Sequence, residues 1–417
     1  MAVPSRPAAV ADAPVTRLPP MLRALRHRNY RLFFAGQLIS LTGTWMQSVA
    51  LGWLVLRLTN SPALLGLVAA ASSLPVLLLS LNAGALVDQV SKHRLLLATQ
   101  VVAMLFTAVL AGLTLAGVVQ VWHVLALAAL LGVVNAFDAP ARQSFTVEMV
   151  GREDLLNAIA LNASIFNAAR TLGPALAGVI VVLIGEGPAF ALNATSYLFV
   201  IAGLLLMRLP PYRPASGRRG GQLREGLAYI AGEPRVRALL LQAAAISLFC
   251  FVQIPLLPYF ARDIFGAGAG GLGALSAASG LGALTAALML AQLGDRVPRG
   301  RLLVGAALAY PAVLIAFTAT RSLPVALVLL ALAGWAGVTT MALTNTLIQS
   351  IVPDGLRGRV MSVFTLLLMG ASPMGGMAAG VIAELVGSVP LVVAASALIG
   401  WAIVGWGAWR APFLREL

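Results

Sequence analysis

Gly84-Ala85-Leu86-Val87-Asp88-Gln89-Val90-Ser91-Lys92-His93-Arg94 is a short polar stretch set between two long apolar runs. It returns in altered form 207 positions later as Leu293-Gly294-Asp295-Arg296-Val297-Pro298-Arg299-Gly300-Arg301. Asp88 is matched by Asp295, Lys92 by Arg299 and Arg94 by Arg301. An acid followed by bases four and six residues on, between runs long enough to cross a bilayer, reads as a charged hinge at a membrane face. Its duplication reads as a chain built from two related halves.

Composition agrees with the membrane. Of 417 residues, 60% are hydrophobic and only 10% charged, whereas a soluble domain carries about 25% charged residues. Apolar runs of roughly 20 residues or more mark helical spans. They lie near 31–56, 63–87, 95–116, 121–148, 155–184, 188–207, 238–261, 271–293, 302–319, 323–350, 358–386 and 390–409. Twelve spans put both termini on one side. With that topology 23 Lys and Arg fall on the side of the termini, and only Arg57, Arg262 and Arg321 on the other. The positive-inside rule then places both termini in the cytoplasm and the protein in the cell membrane. The net charge of +14 is thus a topology signal, with some attraction to anionic lipid headgroups, and nucleic acid is excluded as a partner.

Several function classes drop out. Cys250 is the single cysteine, and His27, His93 and His123 are scattered, so neither a disulfide nor a clustered metal site is expected. Gly268-Ala269-Gly270-Gly271-Leu272-Gly273 fits a dinucleotide pattern, but no strand precedes it. No phosphate-binding Walker sequence and no nucleophile with its base are present, so no enzyme and no cofactor are expected. The Pro/Ala-rich first 22 residues have no apolar core and read as a tail, not a signal peptide.

The spans are not uniformly apolar. The first carries Gln37, Ser40, Thr42, Thr44, Gln47 and Ser48, and polar groups in hydrocarbon need partners or water. Such a helix faces protein or an aqueous cavity, with Gln47 the best candidate for touching a passenger. Span four holds Asp138 and Arg142, four apart on one helix face, and span five adds Arg170 near mid-membrane. Two readings compete: a permanent salt bridge locking helices, or Asp138, Arg142 and Arg170 lining a substrate or proton pathway. In the second half Asn345 is the strongest polar candidate for the cavity wall, against a plain helix–helix hydrogen bond. Glu384 reads as solvated at the outer end of span eleven, and Asp354 as that span's N-cap.

A second internal match strengthens the two halves. Gly173-Pro174 and Gly178 in span five recur as Pro373, Gly375 and Gly380 in span eleven, with Gly173 matched by Gly375 and Gly178 by Gly380. Gly132 matches Gly334, Gly66 matches Gly273, and Ser72 matches Ser279. Glycine and proline there permit bends and close helix packing. The expected organisation is a tail (1–28), a six-helix bundle (29–208), a linker (209–236) with a short surface helix near 223–232, a second bundle (237–410) and a tail (411–417).

On these residues the chain resembles the major facilitator superfamily. The opening stretch resembles its motif A, with Ser91 where glycine is usual. Gly173-Pro174-x-x-x-Gly178 resembles its motif C, with Ala177 in place of the usual second glycine. Asn29-Tyr30-Arg31-Leu32-Phe33, Phe137-Asp138-Ala139-Pro140-Ala141-Arg142-Gln143 and Leu356-Arg357-Gly358-Arg359 are similar to the enterobactin-exporter branch, which is itself similar to some macrolide-efflux transporters. The resemblance implies an all-α membrane protein of twelve helices in two pseudo-symmetric bundles, alternating its central site between the two sides. It implies a cytoplasmic gate of Gly84, Asp88, Lys92, Arg94, Asp295, Arg299 and Arg301, with Asp88 facing Arg357 and Arg359 when that gate closes. The implied function is a monomeric secondary-active exporter of a small amphipathic molecule, siderophore-like or drug-like, with protons as the coupling ion. An importer, or a scaffold or sensor with the same fold, stands as the alternative.

Overall fold

A computed structural model describes residues 19–87, 89–209, 222–293 and 297–415. Asp88, Asp295 and the proline- and glycine-bearing part of the linker lie outside the described residues. Among those described, twelve helical segments are long and apolar enough to cross a membrane. The first six are α1 (Arg28–Thr59), α2 (Pro62–Val87), α3 (Lys92–Leu115), α4 (Val121–Val150), α5 (Leu155–Ile184) and α6 (Glu186–Leu205). A short α7 (Gln222–Gly232) lies where a surface helix was expected. The second six begin with a broken span, α8 (Pro234–Phe249) and α9 (Gln253–Tyr259), which ends in a π-helical turn at Phe260–Ile264. Then come α10 (Gly268–Leu293), α11 (Arg299–Ala319), α12 (Leu323–Ile351), α13 (Asp354–Val386) and α14 (Val389–Arg410).

These helices form where apolar length demands that the backbone satisfy itself, and they stop where it no longer has to. The uninterrupted ones run from 20 to 33 residues. Asn60 ends α1 in the left-handed conformation at φ 54°. Ser91 sits where the family's usual glycine would be and caps α3 by accepting from the Arg94 amide. Asp354 is not the N-cap of α13. Pro353 holds that position, and Asp354 is the first helical residue, paired with Arg357 at 2.7 Å.

Packing repeats between the halves as the sequence matches do. A methyl on Gly173 would lie 2.5 Å from Cβ of Trp45 on α1, and one on Gly375 would lie 2.0 Å from the carbonyl of Leu248 on α8. Each glycine thus lets its helix press on the first helix of its own half. Gly132 presses on the Ser72 carbonyl of α2 and Gly334 on the Ser279 carbonyl of α10. Gly178 and Gly380 do something different: they cross between halves, onto Gly273 of α10 and onto Pro62 of α2. The fold is therefore two pseudo-symmetric bundles joined along α2 with α13 and α5 with α10.

Both described chain ends lie on one face, called here the terminus face. The turn Pro20–Arg26 is strapped to the start of α5: Arg26 Nε and His27 Nε2 lie 2.8 and 2.7 Å from Asp154 Oδ2, and Arg23 Nε lies 2.9 Å from Oδ1. Asp154 is 1% exposed. Burial alone would raise its carboxyl, but the His27 hydrogen bond and the Arg26 and Arg23 charges outweigh it and hold it below the usual carboxylate range.

Candidate functional site

Between the bundles lies a cavity of about 660 Å³ whose described lining holds three charged side chains, Asp138, Arg142 and Arg170. Asp138 and Arg142 come from successive turns of α4. Asp138 is 2% exposed, and its Oδ1 accepts from Thr99 Oγ1 and Gln100 Nε2 of α3, both at 2.8 Å. Its Oδ2 pairs with Arg142, which also donates to Gln37 Oε1 of α1 at 3.2 Å. The result is a network joining α1, α3 and α4 in which both carboxylate oxygens are engaged, while the buried Arg142 Nε has no described partner. Gln47 also lines the cavity, but its amide oxygen accepts from Asn193 of α6, so it helps join α1 to α6.

Arg170 is not part of that network. No described carboxylate lies within ion-pair distance, and its guanidinium sits 6.0 Å from the centre of the Trp45 ring. Its backbone carbonyl lies against Gly280 of α10, where a methyl would come within 2.8 Å. This cation thus stands at the seam between the halves. Across the seam the break before α9 points Gln253 into the wall, where its Nε2 donates to Tyr310 Oη at 2.9 Å and its Oε1 has no described partner. Asn345 does not reach the described lining. It is half-buried and accepts from Gln349, one turn along α12.

The two ends of the cavity differ. On the far face the halves touch. A methyl on Gly380 would lie 2.5 Å from the Pro62 carbonyl, and one on Gly66 would lie 2.5 Å from the Gly376 carbonyl. Two polar ties cross beside them. Arg262 Nη1 donates to Asn60 Oδ1 at 2.7 Å and to the Leu56 carbonyl at 3.2 Å. Glu384 accepts from Ser61 Oγ, and from the Ala63 amide at 3.2 Å. Glu384, expected to be merely solvated, thus caps α2 from the opposite half. Sequence reasoning missed both ties, because only the fold brings these residues together.

Toward the terminus face no described glycine presses on the opposite half. A methyl on Gly84, Gly355 or Gly358 would meet nothing within 4 Å. Lys92 pairs with Glu148 of α4, and Arg94 is exposed. Arg301 is exposed at the start of α11, beside the half-buried Arg299. Arg357 pairs with Asp354 and donates to the Gln349 carbonyl at 3.1 Å, and Arg359 pairs with Glu225 of α7. Among the described residues, the bases expected to meet Asp88 are held by their own half (Arg357) or by the linker helix α7 (Arg359). Pro174 and Pro373 line the cavity, each lacking a backbone donor inside its helix.

Known proteins agree with this architecture. The chain is 27% identical to a staphyloferrin A transporter of Staphylococcus aureus over 237 residues, 56% of this chain and 60% of that protein. It is 27% identical to the multidrug efflux pump Tap of Mycolicibacterium fortuitum, over 90% of this chain and 93% of the relative. It is 24% identical to the enterobactin exporter EntS of Escherichia coli, over 85% of this chain and 86% of the relative. The fold matches a crystal structure of a bacterial homologue of the human lysosomal transporter Spinster, with a TM-score of 0.68 at 16% identity, covering 93% and 96% of the two chains. The profile of the family described as transmembrane secretion effector matches residues 20–409. The chain belongs to that family, within the major facilitator superfamily.

Proposed function

We propose that the protein is a secondary-active exporter of a small amphipathic molecule, with its termini in the cytoplasm. The carrying observation is the cavity itself: polar and charged at its centre, with the halves pressed together toward the far face and no described glycine contact between them toward the terminus face; we read it as open toward the terminus face. With cytoplasmic termini, this is the state that loads from the cell interior. The opposite state follows if the halves rock about the seam. The efflux and siderophore-transport relatives support this direction.

The proposed gate closes when Asp88 of motif A meets the start of α13. Arg357 and Arg359 would first have to leave Asp354 and Glu225. Asp88→Asn is therefore expected to abolish net transport while leaving membrane expression intact. Normal transport by that variant would remove Asp88 from the gate.

Proton antiport is the proposed drive. Asp138 is the sole carboxylate in the described lining. Its protonation would release Arg142, so any coupling through it must break the network that joins α1, α3 and α4. In proteoliposomes with an imposed proton gradient, a protonophore should stop movement of an amphipathic fluorescent dye such as fluorescein or a rhodamine ester. Movement indifferent to the gradient rejects antiport, and absence of movement in both directions rejects transport.

A further inference from the structure

The charge inventory of the cavity does not balance. Its described lining holds one carboxylate and two guanidiniums, and the carboxylate is fully engaged by Arg142, Thr99 and Gln100. Arg170 is left over. A cation placed in a membrane interior is costly unless something answers it, and here no described acid does. The face of Trp45 offers a cation–π contact, which stabilises a guanidinium modestly and leaves its planar fork of donors free.

Position sharpens the point. Gly178, two turns further along α5, marks the sealed far side by its contact with Gly273, roughly 12 Å beyond Arg170 at the helical rise. Arg170 therefore stands deep in the cavity, at the seam, with its carbonyl against Gly280 of the second half. A ligand held there touches both halves, as a passenger must if its binding is to influence their rocking. The cavity wall as a whole carries apolar side chains beside its polar centre, with Val49, Val68, Leu131 and Leu257 among its members.

We propose that the passenger is an amphipathic anion: an apolar body bearing a carboxylate, sulfonate or similar acidic group with two oxygens to dock on the Arg170 guanidinium. A guanidinium fork matches such a group through two parallel hydrogen bonds. A cationic amphiphile would meet net repulsion from the same wall. This inference rests on the transport reading and narrows its substrate class.

The test uses the purified full chain in nanodiscs of uncharged lipid, with two dyes that share a xanthene body: anionic fluorescein and a cationic rhodamine ester. Fluorescence polarisation, corrected against empty nanodiscs, should show fluorescein bound at least about tenfold more tightly. Arg170→Met should erase that preference, and Arg170→Lys should keep it with weaker binding, because charge survives and the fork does not. If Arg170→Met does not fold, the wild type still decides. Fluorescein should slow phenylglyoxal modification of Arg170 while leaving the exposed Arg94 unprotected. Equal or tighter binding of the cation, binding of neither dye, or no protection of Arg170 would overturn the proposal. Charge-selective binding without vesicle transport would sink the transport reading alone. Transport of both dyes without charge selection would sink this inference alone.

Discussion

The two faces of the molecule are fastened by different means. On the far face, beside the Arg57–Glu186 pair within the first half, fastenings run between halves, through glycine contacts at Gly178 with Gly273 and Gly380 with Pro62, and through the Arg262 and Glu384 ties. On the terminus face the described ion pairs join no span of one half to a span of the other: Lys92 with Glu148, Arg357 with Asp354, Arg359 with Glu225 of the linker helix, and Asp154 with the N-terminal turn. Contacts within a half exist in every rocked state and contribute to stability. Contacts between halves exist in one state only and set its population. Glycines suit that second role. They bring helices together without ion pairs that would have to be desolvated and broken at each cycle.

Perturbing each kind of fastening should therefore have different consequences. Gly380→Leu places a side chain where even Cβ would lie 2.5 Å from the Pro62 carbonyl. Overpacking of this kind costs about 2–3 kcal/mol, and the cost falls on the closed far face alone. Inter-helix distances measured by spin labels on α2 and α13 should shift to the parted arrangement, with thermal stability little changed. An unaltered distance distribution would show that this contact does not hold the face shut.

Asp154→Asn lies at the other extreme. It removes a charge-assisted network within one half, costing about 2 kcal/mol of stability, and should leave the distance distribution unchanged. The sign with pH follows from its lowered carboxyl. That contribution is full above the unfolded carboxylate value of about 3.9 and is lost as the pH falls through the lower folded value. Acid unfolding of the wild type should thus show a loss below about pH 4 that Asp154→Asn lacks.

Removing a far-face tie should act weakly in the same direction as Gly380→Leu. Glu384→Ala exposes the first amides of α2 and should cost the closed state about 1 kcal/mol, a several-fold population change readable by the same spin labels. The smallest effect is expected from Glu225→Ala. It frees Arg359 from a largely exposed pair and should favour closure of the terminus face by about 0.5 kcal/mol, fading with salt. A shift toward opening would mean that Arg359 has no part in that gate.

Much of this was legible in the residues. Span edges came within a few positions because a bilayer sets helix length independently of tertiary context. The glycine matches were readable as a repeat, since a backbone contact that tolerates no side chain leaves a mark at a fixed position. Local periodicity also put Asp138 and Arg142 on one face. It could not decide between lock and pathway, because the deciding partners, Thr99, Gln100 and Gln37, come from two other helices. Asn345 differs: polarity inside a span shows that a partner is needed, and here that partner is Gln349, four residues on along the same helix. The break at residues 250–252 was missed, although Pro255 and Pro258 follow within one turn or two, because hydropathy runs through it unchanged. Glu384 and Arg262 carried no local signal at all.

The central claim is a cavity reached from one face at a time. It is tested most directly by placing a cysteine on its wall at Ser276 of α10, the native Cys250 being buried, and exposing sealed vesicles of either orientation to a membrane-impermeant maleimide. Ser276→Cys should be labelled in vesicles that present the terminus face and spared in those that present the far face, with Gly380→Leu reversing the pattern. Equal labelling from both faces, or labelling from the far face alone in the unperturbed protein, would contradict it.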